Sequence, residues 1–525
     1  MTTLTVIAGC EVGEGAVDRS MGSASLAEEP REEEARAVVL TLRDLHGLVP
    51  SARLVGDPSV AIADITLDSR SVSPGAMFCA TRGSRFDGHD FVSDAIARGA
   101  VALLVQHEVA LDIPQLVVPS VRHAIGGLVA GFFGRPSERL DLVGITGTNG
   151  KTTTSYFIDS ILSLAGRRTG LIGTIEARFG DSNRPSMFTT PEAPELHRLL
   201  RQMVDDGVDS VVMEVSSHGI DQHRIDGTSF RIGVFTNLSP EHLDYHGTIE
   251  QYYAAKAQLF LPERTKQAVI GTDTEWGVRL ATQVRIPAVT YGPAPFSDYR
   301  VEDVRYDEYG TIFTVVVGGR RRWRLRVPIY GIHNAYNAAA AVAVAEALGI
   351  EGDTIERGLA ECHQVAGRFQ RIDAGQPFTV VVDYAHTPDS LRALIATARA
   401  LSPKGRVILV AGARGRRDRL KRPELGRAAA TADVAILTAD NPGDEDPGEI
   451  VAQLLAGTLD VDHKQIIVEL DRRGAIGHAI EIAEESDVVL IVGRGHEQTF
   501  RVGQTVYRLD DREAAREAIL AKLAR

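Results

Sequence analysis

The residues able to do chemistry begin at 140–154, which read LDLVGITGTNGKTTT. An apolar run enters the loop Gly147-Thr148-Asn149-Gly150 and leaves it through Lys151, Thr152 and Thr153. Backbone N–H groups at such a strand-to-helix turn cradle phosphates, the lysine neutralises them, and the following hydroxyl can hold Mg²⁺. The spacing departs from the common GxxxxGK[ST] form, because Ile145 stands at its first glycine. A glycine-rich turn without a ligand is the plainer alternative.

Two more clusters follow. Glu214 lies near the end of the apolar run Val208–Val215, before Ser216-Ser217-His218. A carboxylate ending a strand beside a phosphate loop is placed to support Mg²⁺. Glu241-His242-Leu243-Asp244-Tyr245-His246 then gathers imidazoles and carboxylates ahead of Lys256. A lone histidine is more often structural, but three clusters together favour a metal–nucleotide site. The chain has seven lysines against fifty arginines, so arginine serves wherever charge alone suffices. Lysine at 151 points to a need for a compact ammonium. At 256 it offers an amine that can lose its proton and be modified, which arginine does not.

The elements that must position these groups alternate along the chain. Residues 1–38, with the acidic run around Glu28–Glu34, read as a disordered extension, and Met21 is an alternative start. From 39 to 137 short apolar strands alternate with helical patterns, including a helix near Phe91–Arg98. From 138 to 366 the pattern is strand, glycine loop, helix; the helix after the phosphate loop reads as Ser155–Leu164. A polar stretch at 293–310 leads to a hairpin, Phe313–Val317 and Trp323–Val327 across Gly318-Gly319. From 367 to 525 the strands expected are Thr379–Asp383, Arg406–Ala411, Val434–Thr438, Ile466–Glu469 and Val488–Val492.

At 525 residues the chain exceeds one core and divides into several domains. No apolar run reaches the roughly 18 residues of a membrane span, so membrane insertion is not expected. A net charge of −13 without a basic tail argues against nucleic-acid binding. Cys10, Cys79 and Cys362 form no CxxC pair, which fits a reducing cytoplasm. Val6–Cys10 superficially looks like a lipoprotein cleavage site, but no cation precedes its short apolar run.

TGTNGKTTT, Thr189-Thr190-Pro191-Glu192, MEVSSHG, HLDYHG, YAAKAQLF, GIHNAYNAAAA, GRFQ, VVDYAHTPDSL and GRGHE occur in this order. Together they resemble the Mur ligases, and the MurE type in particular. Leu67-Asp68-Ser69-Arg70, Pro74-Gly75 and Phe86-Asp87-Gly88-His89-Asp90 are similar to that type's nucleotide-sugar region, so the likeness covers about 40–525. It implies an α/β protein of three domains: an N-terminal UDP-binding α/β domain, a central P-loop ATPase with a mostly parallel sheet, and a C-terminal Rossmann-like domain. It implies ATP and Mg²⁺ as cofactors, and UDP-MurNAc-L-Ala-D-Glu plus an amino acid as partners, with a monomer expected. ATP would phosphorylate the D-Glu carboxylate, and an amine would attack the acyl phosphate.

By motif, Lys151, Glu214, His242 and Lys256 match the catalytic set, with Lys256 carbamylated and Thr152, Glu214, His242 and Lys256 near metal. Asn334, Asn337, Arg368, Asp383, Tyr384 and His386 match ATP-contacting positions, although Asn334 and Asn337 can equally be helix caps. Leu67, Ser69, Ser84, Arg85, Phe86, Thr189, Thr190, Ser216, Gln222 and Arg224 match the nucleotide-sugar-dipeptide site. Arg417, Asp440, Asn441, Pro442, Gly443, Gly493 and Glu497 match the amino-acid site.

One departure matters. MurE enzymes that add meso-diaminopimelate typically carry Asp-Asn-Pro-Arg, whose arginine grips the distal carboxylate; here Gly443 stands there. Asp444-Glu445-Asp446 follow, and an acidic loop favours a substrate ending in an ammonium, such as L-lysine or ornithine. The plainer reading is that these acids start the helix after Pro447. L-lysine is therefore favoured here, with meso-diaminopimelate the alternative. Six cations between Arg414 and Arg422 read as serving phosphate and carboxylate. Competing readings are a MurF-type or folylpolyglutamate-type ligase, and a P-loop NTPase that is not a ligase.

Overall fold

The computed structural model describes residues 40–525 except 84, 85, 417, 460 and 462–464. Residues 1–38, Ser84, Arg85 and Arg417 thus lie outside the described residues. Among the described residues three large sheets succeed one another along the chain, beside two sheets of two strands each. The first has five strands in the order Arg53–Val55, Gln115–Val117, Ala102–Val105, Ala76–Cys79 and Asp64–Thr66, the last four parallel. The C-terminal sheet has six, with Thr379–Asp383, Val488–Val492, Val407–Ala413, Val434–Ala439 and Gln465–Val468 parallel and adjacent. Their uninterrupted apolar runs suit strands covered on both faces.

The central sheet has eleven strands. Its parallel heart places Asp141–Thr146 between Ser210–Glu214 and Phe230–Phe235, and continues through Thr265–Gly271 and Ala288–Gly292. The expected hairpin forms as Gly310–Val317 and Arg321–Val327, but not on its own. Half of the preceding polar stretch is itself a strand, Tyr299–Asp307, which joins the hairpin to the sheet. Its alternating side chains face the core and water by turns, which lowers the apolar signal without preventing a strand.

The helix after the phosphate loop starts at Lys151, four residues before the sequence pattern suggests. Gly150 stands at its N-cap with φ +87°, and among the described residues no side-chain cap takes up its first N–H groups, which suits a phosphate. Beside it runs Ile332–Ala347, whose alanines from Ala338 to Ala341 are wholly buried. Small side chains let the two helices approach closely. No described helix is long and apolar enough to cross a membrane.

The strand directions decide where the site falls. Thr146, Glu214 and Phe235 end parallel central strands, and Asp383, Ala413, Ala439 and Val492 end parallel C-terminal ones. Ligands in open α/β sheets bind outside those ends. The loops that follow carry Gly147, Ser216, Asn237, Tyr384, Arg414, Asp440 and Gly493.

Candidate active site

A cavity of about 380 Å³ is lined by residues 148–153, Glu214, His242 and Lys256 on one side, and by Arg368, Tyr384, His386, Arg414, Lys421 and Asp440 on the other. A second cavity of about 310 Å³ adjoins it through Asn149, Gly150 and Thr153, and is bordered by Asn334, Asn337, Asp383, Tyr384 and His386.

The phosphate loop is held by close backbone approach. A Cβ on Gly147 would lie 1.9 Å from Thr236 Oγ1, and one on Gly150 2.4 Å from Asn337 Oδ1. Asn149 N–H donates to Asn237 Oδ1 at 3.0 Å, and Lys151 Nζ donates to the carbonyls of Gly147 and Thr148, both at 2.9 Å. Burial presses the Lys151 ammonium below its ordinary value, opposed by the Glu214 charge. Thr152 Oγ1 donates to Glu214 Oε1 at 2.9 Å and accepts from Arg368 Nη2 at 2.9 Å. Glu214 also takes the N–H and hydroxyl of Thr174, at 2.9 and 3.0 Å.

Lys256 comes from the helix Ile249–Ala257 and is 1% exposed. Its Nζ donates to Gly147 O at 2.8 Å and lies 4.5 Å from the Tyr252 ring centroid. Burial, reinforced by Lys151, holds its amine well below the ordinary value. His242, at φ +57°, stacks edge-on to His218 with ring centroids 4.7 Å apart. Burial first, then neighbouring positive groups, keeps His242 neutral far below the usual imidazole range. Among the described residues no three His, Cys, Asp or Glu cluster closely enough to hold a metal unaided.

The residues expected to receive the dipeptide form one chain of contacts. Thr190 Oγ1 accepts from Ser216 N–H at 2.9 Å, and Arg224 donates to Thr190 O at 3.0 Å and Gln222 Oε1 at 2.6 Å. Thr189 reaches Glu214 through Thr174, with hydroxyls 3.1 Å apart. Leu67, Ser69 and Phe86 sit in the N-terminal domain and do not line the cavity. Phe86 is 70% exposed.

The C-terminal domain supplies the opposite wall. Asp383 accepts from the N–H groups of Phe369 and Ala385, at 2.6 and 2.7 Å, which fixes the backbone beside Arg368 and Tyr384. The Arg368 guanidinium lies 4.5 Å from the Tyr384 ring centroid. Burial pushes the His386 imidazole down to about 3. Asn334 does not cap its helix: its Nδ2 donates back to Tyr330 O at 2.8 Å, and Asn337 Nδ2 donates to Asn334 Oδ1 at 3.0 Å. Both amides therefore face the second cavity rather than the helix N–H groups.

Asp440 is 1% exposed, and among the described residues neither carboxylate oxygen has a hydrogen-bond partner. The nearest guanidinium contacts, Arg494 and Arg414, are at 3.9 and 4.0 Å. Below it a buried network ties Asp511 to Arg472, at 2.6 and 3.0 Å, and to Arg494 at 3.3 Å. Asn441 Nδ2 donates to Glu497 Oε2 at 2.9 Å, and Glu497 also pairs with Arg414. Burial raises the Glu497 carboxyl above its ordinary value. Pro442 O packs over Gly415, and Gly493 abuts Asp440.

The acidic loop differs from expectation. Asp444 pairs with Arg416 at 3.0 Å and Arg501 at 3.7 Å. Glu445 pairs with Arg422 at 2.6 Å and with Arg419, and accepts from Arg416 N–H at 2.7 Å. Asp446 caps the helix Pro447–Ala456 through Gly448 N–H at 2.9 Å. Among the described residues each of the three carboxylates already has a partner, so the acidic loop no longer argues for lysine.

Lys421 escaped the sequence reading of the site, and Glu241 was read without its partner. Lys421 Nζ pairs with Glu241 Oε1 at 2.7 Å, joining the two walls. The scarcity of lysine was the available signal for Lys421, and it was hidden inside an arginine-rich run. Glu241 appeared within its cluster, but its cross-domain partner was not visible.

Three family profiles match in order: "Mur ligase family, catalytic domain" at 61–132, "Mur ligase middle domain" at 145–345, and "Mur ligase, glutamate ligase domain" at 367–495. A protein of Aquifex aeolicus named UDP-N-acetylmuramoyl-L-alanyl-D-glutamate--2,6-diaminopimelate ligase is 43% identical over 87% of this chain and 94% of its own length. A Streptomyces avermitilis protein of the same name is 41% identical over 90% and 96%. A solved structure of a ligase of that name superposes with TM-score 0.65 at 31% identity, covering 92% of this chain and 99% of its own. A MurF ligase from Thermotoga maritima in complex with ADP shares the fold, with TM-score 0.62 at 22% identity over 87% of this chain and 96% of its own. With ordered profiles, close relatives and a phosphate loop facing a C-terminal wall, this chain belongs to the Mur ligase family.

Proposed function

We propose that the chain is an ATP-dependent ligase of peptidoglycan precursor synthesis that joins a diamino acid to the D-Glu carboxylate of UDP-MurNAc-L-Ala-D-Glu. Diaminopimelate is favoured, because the relatives at 41–43% identity are named for it. The carrying observation is one cavity where Lys151, Thr152, Glu214, His242 and Lys256 face Arg414, Lys421 and Asp440. One chain supplies both walls, which suits a monomer, and cysteines without a CxxC pair suit a reducing cytoplasm.

Gly147–Thr153 hold the phosphates of ATP, with Lys151 as counter-charge, and the cavity beside Asn334, Asn337, Asp383, Tyr384 and His386 takes the nucleoside. Mg²⁺ would be held by Thr152, Glu214, His242 and Lys256 as its carbamate, and supplies charge neutralisation to phosphoryl transfer. The donor set fits a hard cation: a hydroxyl, carboxylate oxygens and a neutral imidazole. Lys256 is suited to carbamylation because burial favours the uncharged form of its amine, and addition of CO₂ turns that amine into a carboxylate-like group. Arg368, donating to Thr152, brings a further positive charge to the phosphate loop.

A D-Glu carboxylate oxygen bonds to the γ-phosphorus as the bond to ADP breaks. The substrate amine then attacks the acyl carbon, loses a proton, and phosphate leaves. The protein's contribution is positioning and charge stabilisation. Leu67, Ser69, Ser84, Arg85 and Phe86 serve the uridine end, and Thr189, Thr190, Ser216, Gln222 and Arg224 the peptide end. Arg417, Asp440, Asn441, Pro442, Gly443, Gly493 and Glu497 serve the incoming amino acid, with Glu497 at its amine.

The test is phosphate release from ATP with UDP-MurNAc-L-Ala-D-Glu, run against diaminopimelate, lysine, ornithine and no amino acid. Turnover that requires both the carboxylate and an amine substrate is expected. ATP hydrolysis indifferent to both, or stimulated only by nucleic acid, would overturn the ligase reading.

A further inference from the structure

The loop that lacks an arginine at 443 is bound to a strand that brings one. Gly443 N–H donates to Arg501 O at 3.1 Å, and Gly503 N–H donates to Gly443 O at 2.6 Å. The residue paired directly with Gly443 is Val502, and Arg501 precedes it in the strand Thr499–Val502, with its guanidinium 3.7 Å from Asp444. Asn441 links this strand to the amine-side carboxylate: its Oδ1 accepts from Arg501 N–H at 2.9 Å while its Nδ2 donates to Glu497 at 2.9 Å. A Cβ on Gly443 would meet none of the described residues within 4 Å, although its φ of +60° strains any other residue there.

The charge around this opening is positive. Among the described residues Arg416, Arg419, Arg422 and Arg501 share the carboxylates of Asp444 and Glu445. Arg422 is buried and committed to Glu445, whereas the Arg416 and Arg501 side chains are 59% and 50% exposed and both approach Asp444. Arg501 Nε donates to Gly503 O at 2.9 Å and its Nη2 to Gln504 Oε1 at 3.4 Å, while Asp444 stands 3.7 Å away, so part of the five-donor fork remains for a second anion. This surplus repels a substrate ending in an ammonium and attracts one ending in a carboxylate.

We infer that Arg501, assisted by Arg416, receives the distal carboxylate of a diamino dicarboxylic acid, supplying from the neighbouring strand the charge that Gly443 lacks. The inference rests on the ligase reading above and names its specificity residue.

The test measures kcat/KM for diaminopimelate and for lysine in the full chain, for wild type, Arg501→Ala, Arg501→Lys and the double variant Arg501→Ala with Gly443→Arg. Wild type should prefer diaminopimelate. Losing a charge-assisted hydrogen bond costs about tenfold to a hundredfold in affinity, so Arg501→Ala should cut the diaminopimelate-to-lysine preference by that factor, mainly through KM. Arg501→Lys should keep part of it, and arginine restored at 443 should recover part of what is lost. An unchanged preference in Arg501→Ala overturns the inference, as does an equal fall for both amino acids, which marks a structural role. A wild type that prefers lysine overturns it while leaving the ligase reading intact. A wild type that turns over no amino acid overturns both.

Discussion

The buried ion network beneath the amino-acid loop gives a quantitative test of how the C-terminal domain is built. Arg472, Arg494 and Asp511 are each 0% exposed at their side chains. Asp511 comes from the last helix, Asp511–Leu523, and its two oxygens accept from both guanidinia. Arg472 also donates to Val492 O at 2.8 Å, and Arg494 to Leu509 O at 2.8 Å, so neither guanidinium can leave for solvent without breaking backbone contacts. Asp511→Ala therefore strands two cations in the interior. Breaking a buried pair from one side costs about 3–5 kcal/mol. A domain of this size loses roughly 2–4 °C in Tm per kcal/mol, so its unfolding transition should fall by about 6–20 °C. Differential scanning calorimetry of the full chain reads this directly. Asp511→Asn should lie between, keeping the shape and some hydrogen bonds but not the charge. A shift under about 2 °C for Asp511→Ala would refute the reasoning, because it would mean that the two arginines find other compensation.

Two further outcomes are expected. Lys256→Ala should abolish ligase turnover, with added bicarbonate giving no recovery and a short carboxylic acid restoring part of it; full activity in the variant would exclude the carbamate. Pairing with Arg422 holds Glu445 down to about 2 from its ordinary 4.5, so its stabilisation is complete above about pH 4.5 and disappears as pH falls through about 2. The stability gap between wild type and Glu445→Gln in urea should accordingly narrow below pH 4.5, and a gap constant with pH would contradict that assignment.

Much of the parallel framework was legible because buried parallel strands are continuous apolar runs: Thr379–Asp383 and Val488–Val492 fall on the residues the pattern marks. The phosphate loop was legible because glycine, lysine and hydroxyl must be contiguous to work. Partners separated in sequence were not. Arg472 and Arg494 look like surface cations until Asp511 and the backbone carbonyls close around them. Asp444 and Glu445 look like free acids, because their partner Arg501 lies more than fifty residues on and Arg416 and Arg422 precede them by more than twenty. The early start of the helix at Lys151 was obscured by its threonines, which are weak helix formers; the glycine at its cap and the phosphate-loop geometry override that preference.

The ladder joining Gly443 to Arg501 and Gly503 uses main-chain groups alone. Two segments held at a fixed spacing in this way offer two anchorage points for one side-chain function, and the hydrogen bonds themselves ask nothing of the side chains, although any residue but glycine at 443 must bear φ +60°. A recognition charge can then migrate between strands over evolutionary time through single substitutions, without any rebuilding of the pocket. On such a frame, substrate choice belongs to a location in space, and a motif read from one strand alone will misassign it.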